Sequence, residues 1–271
     1  MKRRILSIFC ALALCLGLMP TTVFAANSGK AIQLGTDALN ESINSTNAAT
    51  VYFGKNNEDT PGAWRVIGYN SNGVASAQGD MALLAAGNMG LVQFDADETS
   101  NEYAASDLKA AIDALAGKLT EKETAAVNKR TLTSGSYTGE NTDCVSGAQV
   151  DNAVFWPLST AEASAVNSDL RIVDQAHPNW ASSYWWLRSP CKTVDFAAVV
   201  NGSGTVLDAG NPVEREFGVR PAFHLALNSV LFTSAAVGGK SASGMDSGLT
   251  AVGNYDGSEW KLTLLDSSRN F

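Results

Sequence analysis

Four cysteines, two histidines and a few carboxylates are the residues of this 271-residue chain with the side chains for chemistry. Cys10 and Cys15 fall in an apolar N-terminal run and read as filling, which leaves Cys144 and Cys191. In an oxidising compartment such a pair is first a disulfide candidate; two free thiols, or a thiol site, are the alternatives. A bridge closing the segment from 144 to 191 would stabilise the fold by roughly 4 kcal/mol through chain entropy. Neither His177 nor His224 stands at metal-ligand spacing from a cysteine or from the other. His224 lies in an apolar run and reads as a satisfied core or strand-end residue. His177, before Pro178, reads as a loop residue. Asp95, Asp97 and Glu98 offer the oxygens that calcium takes, but without the spacing of a calcium loop, so a solvated acidic loop is the better reading. Ser234 to Ser241 (SAAVGGKS) is one glycine short of a phosphate-binding loop, and no Gly-x-Ser-x-Gly elbow exists. No catalytic set, metal or cofactor is therefore expected.

Two further stretches place a cation where a cation is costly. Tyr184 to Pro190 reads YWWLRSP and Gly218 to Leu225 reads GVRPAFHL. An arginine inside such apolar runs needs fixed partners, because an isolated buried charge is too expensive. Arg188 and Arg220 are read as structural clamps, with a ligand-facing role for one of them as the alternative. Trp185 and Trp186 are neighbours on a strand and face opposite sides, so at least one points into the core.

The elements that must position these residues are legible in outline. Val51 to Gly54, Trp64 to Tyr69 and the continuous apolar run Met81 to Ala86 are strand candidates, with a turn at Asn70 to Gly73. Leu108, Ile112, Leu115 and Leu119 recur at helical spacing and predict a helix over 107–119 behind an N-cap at Ser106, with Gly117 breaking it before Leu119. Thr120 with Glu123, and Ser159 with Glu162, are capping boxes that open two short helices. Ser134 to Gly147 is rich in Ser, Gly and Thr and reads as a loop. Val154 to Leu158 reads as a short strand. Phe196 to Val200 and Thr205 to Leu207 flank a Gly-rich turn at 201–204, a hairpin signal. Phe217 to Leu227 closes the core, and Val230 to Phe232 and Trp260 to Leu265 are later strands. The order predicts an α+β fold with a largely antiparallel sheet.

Charge and ends bound the setting. Residues 1–26 have a basic start, a short apolar run and small residues at a cleavage point, and read as a secretory signal peptide. Without Lys2, Arg3 and Arg4 the chain holds 16 basic against 27 acidic residues, a net charge of −11. That excludes nucleic acid and an anionic membrane surface as natural partners. The division expected is 1–26 signal peptide, 27–50 polar leader, 51–228 main domain, and 229–271 a β-rich, incomplete C-terminal module. No membrane span is expected after signal removal.

Trp64-Arg65-Val66, the Ser106-Asp107-Leu108 helix start, Leu158 to Ala163 (LSTAEA), YWWLRSP, the hairpin Ala197 to Gly204 and GVRPAF follow one another in that order. Together they resemble an uncharacterised domain of secreted and surface proteins of Gram-positive gut bacteria. That domain is similar to the formylglycine-generating-enzyme branch of the C-type-lectin fold. The resemblance covers about Val51 to Leu227. It implies a C-type-lectin-like fold, a twisted antiparallel sheet core with two or three helices and long loops, used to display a ligand-binding surface. It carries no activity with it. Cys191 stands where the family has glycine after the proline, which favours a disulfide peculiar to this chain.

The function expected is a secreted or cell-surface ligand-binding or adhesion-type module, its partner a protein or glycan outside the cell. The expected ligand face lies between Cys191 and Glu216, with Lys192, Thr193, Asp195, Asn201, Ser203, Asn211, Glu214 and Arg215. A secreted enzyme using cysteine chemistry and a purely structural module of a larger surface protein are the alternatives. N-terminal sequencing of the exported protein is expected to start at Asn27; material beginning at Met1 would refute the signal peptide.

Overall fold

The computed structural model describes residues 32–40, 42–97, 99–173, 183–237, 240–241 and 257–266. The expected signal peptide at 1–26, Glu98, His177, Trp180, most of the stretch 237–249 and the tail 267–271 lie outside the described residues. In chain order the strands are β1 (Ile32–Leu34), β2 (Thr50–Lys55), β3 (Pro61–Tyr69), β4 (Asn72–Gly73), β5 (Asp80–Ala85) and β6 (Leu91–Gln93). Helices α1 (Asp107–Ala116) and α2 (Glu121–Ala125) follow, then β7 (Val127–Asn128), β8 (Arg130–Leu132), β9 (Val150–Ala153) and β10 (Trp156–Pro157). After α3 (Thr160–Ala165) and α4 (Ser168–Arg171) come β11 (Trp185–Pro190), β12 (Phe196–Val200), β13 (Val206–Pro212) and β14 (Glu216–Gly218). The described chain closes with β15 (Pro221–Ala226), β16 (Val230–Val237), β17 (Lys240–Ser241) and β18 (Glu259–Leu264).

Eleven of these strands form one curled sheet with the order β1-β16-β18-β2-β3-β5-β15-β10, and β4, β7 and β17 pair at its margins. Five more form a second sheet, β13-β12-β11-β14-β6, and β8 with β9 makes a separate ribbon. The molecule is mostly β with four described helices, compatible with an α+β class. The sheets are mixed rather than wholly antiparallel: β18 runs parallel to β2, and β14 parallel to β11.

Local chemistry accounts for the elements. β5 is buried at every residue because β3 and β15 flank it in mid-sheet, which is why its sequence is a continuous apolar run without alternation. Ser106 Oγ accepts from Lys109 N and starts α1, which buries Leu108, Ile112 and Leu115. The helix stops at Ala116 with Gly117 as its cap, the break expected there before Leu119, because glycine is a poor helix residue. Both capping boxes are made, Thr120 with Glu123 and Ser159 with Glu162. The centre of the large sheet is an aromatic cluster. Trp64 meets Phe155 and Phe223 with ring centroids 5.1 and 4.7 Å apart, and Phe223 stacks on Phe53 at 5.0 Å.

The run Phe217 to Leu227, expected to close the core, does so in two sheets: β14 belongs to the small sheet and β15 to the large one, so Val219 and Arg220 carry the chain between sheets. Two expectations need correction. Val154 to Leu158 shortens to β10, while β9, whose polar sequence VDNA carries no strand signal, was not anticipated. The division at 51 and 228 does not mark a structural unit. β16 and β18 lie inside the large sheet, with Val230 opposite Leu264 and Glu259 beside Thr50. From the leader, β1 pairs with β16, and the Asn44 side chain bonds Ala165 O and Asn167 N at 2.9 and 2.8 Å.

A fragment limited to 51–228 would lose β1, β16, β17 and β18 and bare the edge of β2, whose Val51 and Phe53 are buried. Such a fragment is expected to lack the near-ultraviolet circular dichroism and cooperative melting of the 27–271 chain. A sharp, fully native-like melt of the fragment would contradict this sheet architecture.

Candidate functional site

Arg188 sits in β11 at 1% exposure and is the centre of a buried ionic network. Its Nη1 donates to Glu162 Oε2 at 2.5 Å and to Pro157 O at 2.9 Å, and its Nη2 to Asp143 Oδ1 at 2.6 Å. Glu162, itself buried, also pairs with Arg130 and receives Ser159 N at 3.1 Å. Burial alone would push the Glu162 carboxyl up, but Arg188 and Arg130 hold it down, from its ordinary 4.5 to about 2. The Glu162 that closes the capping box of α3 is therefore also the counter-charge of Arg188. In addition, Arg188 N donates to Leu158 O at 2.9 Å, next to β10 of the large sheet. One residue thus ties the small sheet, the large sheet, α3 and the loop at Asp143.

Arg220 is solved differently. It is equally buried, yet its partners are three carbonyls and a ring face: Ala85 O at 2.9 Å, Arg171 O at 3.0 Å, Leu170 O at 2.6 Å, and Trp185 with its centroid 4.9 Å away. The last turn of α4 supplies two of those carbonyls, the negative end of a helix. Burial, with Arg65 adding to it, pulls the Arg220 pKa down to about 9. Trp185 and Trp186 face opposite sides of β11, and both are fully buried because both faces of this strand are covered. Trp185 Nε1 donates to Arg171 O at 3.0 Å; Trp186 Nε1 donates to Val92 O at 2.9 Å and its ring packs on Phe94 and Phe217.

The loop from Ser134 to Gly147 is held without a disulfide. Cys144 and Cys191 are free thiols, which corrects the expected bridge. Cys144 Sγ donates to Ser136 O at 3.4 Å, and Cys191 Sγ to Asp208 O at 3.0 Å, so each is turned to a carbonyl of its own. The bulge of β13 seats Cys191: at Gly210, with φ +73°, an added Cβ would run into Ala197 O and the Cys191 sulfur. Burial pushes both thiols up, Cys191 to about 12 with Asp208 adding to the effect. Polar contacts do the work assigned to the bridge. Thr142, wholly buried, offers its carbonyl to Ser189 Oγ at 2.8 Å and Thr160 Oγ1 at 2.9 Å. Asp143 joins Arg188, and Tyr137 Oη donates to Asp208 Oδ2 at 2.6 Å. Ser134 Oγ donates to Gly147 O at 2.5 Å across the mouth of the loop.

The eight expected ligand-face residues do not form one surface. Lys192, Thr193 and Asp195 follow β11, while Asn211, Glu214 and Arg215 lie at the far end of β13 and beyond, opposite the start of β12. These six share one end of the small sheet. Asn201 and Ser203 form the turn at the other end of the five-residue β12, about 17 Å away at strand rise. The Asn201 Oδ1 is occupied there by Ser203 N, Ser203 Oγ and Thr205 N, a turn-forming role. At the six-residue end the backbone is pinned. Asn101, 3% exposed, donates to Thr193 O at 3.1 Å and Phe196 O at 2.9 Å. Asp195 O accepts from Val213 N at 3.0 Å, and Glu214 O from Gln93 Nε2 at 2.7 Å. Through Tyr137 and Asp208 the 134–147 loop abuts this end. Tyr137, Asp143, Glu162, Asn101 and Asp208 were not singled out in the sequence; only the capping box at Glu162 left a trace there.

Asp95 is turned inward on its own loop, its Oδ2 accepting from Ser100 N at 2.9 Å and its Oδ1 from Asp97 N at 3.2 Å. Among the described residues no group of three or more His, Cys, Asp or Glu side chains is placed to hold a metal ion. No described helix is long and apolar enough to cross a membrane.

Two sheets locked by buried arginines, with pinned polar loops at one end, define a loop-displaying β-rich domain. The chain belongs to the family described as a domain of unknown function, DUF6273, whose model matches residues 78–227, more than half of the chain. No curated protein and no solved structure matches it. The matched segment holds Arg188, Arg220, the 134–147 loop and the whole small sheet, whereas β1 to β4 and β16 to β18 lie outside it.

Glu162→Gln would strand two arginines and is expected to lower stability by roughly 3–5 kcal/mol. The sign of the pH effect follows from the lowered folded pKa. The Glu162 contribution is fully present above about pH 4.5 and is lost as pH falls toward about 2, so acid unfolding of the native chain should be steep in that window. Urea titrations of both proteins between pH 2 and 7 check this; equal stability of the variant at pH 7 would remove the network from its central place.

Proposed function

We propose that the chain is an extracytoplasmic binding module. Its ligand face is the end of the small sheet where Lys192, Thr193, Asp195, Asn211, Glu214 and Arg215 meet Tyr137 and Asp208 of the neighbouring contact. The observation that carries this reading is that irregular polar backbone is held there by buried anchors, Arg188 on Asp143 and Asn101 on Thr193 and Phe196. Ordering loops in advance lowers the entropic cost of recognition, and binding residues favour loops on a rigid scaffold. Asn201 and Ser203 leave the proposed face. The occupant is a protein or glycan outside the cell, with both signs of charge available to it. The C-type-lectin-like fold and the kinship with formylglycine-generating enzymes remain part of this proposal. They are supported by a mixed sheet in which strands from the two ends of the described chain interleave, β1 on β16 and β18 on β2, and by a long loop with little regular structure.

The thiol-enzyme alternative has two free thiols in its favour, but they turn to separate carbonyls and burial keeps both protonated, which weighs against a nucleophile. A glycan and protein array probed with the 27–271 chain tests the binding proposal. Lys192→Ala with Arg215→Ala is expected to weaken any hit at least about tenfold with an unchanged melting temperature. Asn201→Ala should leave binding as it was. Hits insensitive to the first pair, or lost with Asn201, would place the site elsewhere.

A further inference from the structure

His224 projects from β15 between two hydrogen-bond acceptors, one within the 70–79 loop and the other on Asp80, the first residue of β5, on whose backbone that loop closes through Asn70 N to Asp80 O at 2.7 Å and Asp80 N to Ala77 O at 3.1 Å. Its Nε2 bonds the carbonyl of Ala75, and its Nδ1 lies 3.4 Å from Asp80 Oδ2. A neutral imidazole carries one N–H and can satisfy only one of them; the imidazolium satisfies both. The segment between is unusual. From Asn70 to Gly79 the backbone is left-handed at Asn70, Ser71 and Ala75, at φ 50°, 73° and 53°, as well as at two glycines. Ala75 has no side-chain reason to adopt that conformation, and the carbonyl that His224 holds is its own. We propose that His224 is a proton-operated latch that binds the 70–79 loop more tightly to β15 when the ring takes its second proton.

The surroundings suit a device rather than a permanent ion pair. Asp80, on β5, faces the ring and also receives Asn128 of β7. Arg130 of β8 opposes the second proton, while Glu162 of α3 favours it; the Trp156 ring of β10 meets the imidazole edge-on at 4.8 Å. Burial is the largest influence and holds the His224 pKa below its ordinary 6.5, against the pull of Ala75 O and Asp80. The ring is therefore neutral at pH 7, with its Nδ1 lone pair toward a carboxylate, and the second contact closes only in mild acid. Overall stability moves the opposite way. A lowered folded pKa means that stability is lost as pH falls below 6.5 toward the folded value, even as this one loop tightens. A latch and a mere destabilising histidine are thereby separable.

The test is imidazole NMR titration of the 27–271 chain in a His177→Asn background, which leaves one ring signal, with amide hydrogen exchange read on the same samples from pH 7.5 to 4.5. The expected result is one titration below 6.5. Protection of the Asn70, Ser71 and Gly79 amides should rise about tenfold with the same midpoint after correction for intrinsic exchange, as for a gained charge-assisted bond. Asp80→Asn should abolish that rise while the ring still titrates, at a lower pKa. His224→Gln should show no pH-linked change in the loop. Loop protection that is flat or falls through the ring's titration, or a rise that survives Asp80→Asn, would overturn the latch.

Discussion

The ion pair between Arg188 and Glu162 is the point at which the two sheets, a helix cap and a long loop become mutually dependent. A guanidinium at 1% exposure has to be matched by fixed acceptors, and those it finds come from three parts of the chain: Glu162 in α3, Pro157 in β10 and Asp143 in the loop, while the Arg188 backbone N–H adds Leu158 O beside Pro157. The energetics are asymmetric. The assembled network contributes modestly against its desolvation cost, while removal of one partner strands a buried charge. Arg220 plays a similar bridging part at the other crossing between sheets with no carboxylate at all, relying on helix-end carbonyls and the Trp185 face.

The same constraint explains how a Ser- and Gly-rich loop stays ordered without a covalent tie. Asp143 is drawn in by Arg188, Thr142 is buried behind it, and Tyr137 reaches across to Asp208. With those contacts made, nothing requires Cys144 and Cys191 to meet, and each thiol is absorbed by a nearby carbonyl. The loop is therefore rigid where it approaches the small sheet, and its exposed side chains are offered from a fixed frame. The proposed role in recognition draws on that property.

The strands outside the family match are not ornaments. β18 enters between β16 and β2, parallel to β2, and the partners of β5 include β3 from outside the match. The change of texture after Asn228, which reads as the start of another module, is instead the return of the chain to finish the sheet it began with β1 and β2. Parallel pairing of distant segments leaves no local mark, because no turn joins them and each strand is only a short apolar run.

Local physics was legible in the residues alone. The caps at Ser106, Thr120 and Ser159, the apolar run of β5, the hairpin turn at 201–204 and the need of Arg188 and Arg220 for partners each follow from neighbours within a few positions or from the cost of a buried charge. What could not be read there was which distant groups would answer. Whether Arg188 would find Glu162 or Arg220 only carbonyls, whether Cys144 would face Cys191 or Ser136, and that Asn201 and Asn211 would sit at opposite ends of one hairpin, are outcomes of how the sheets pack. Caps and turns are contests among atoms a few bonds apart, so sequence spacing decides them. Charge pairing, thiol pairing and the make-up of a surface depend on distances across the fold, and those were set only when the chain ends closed the large sheet and the arginines locked the small one against it.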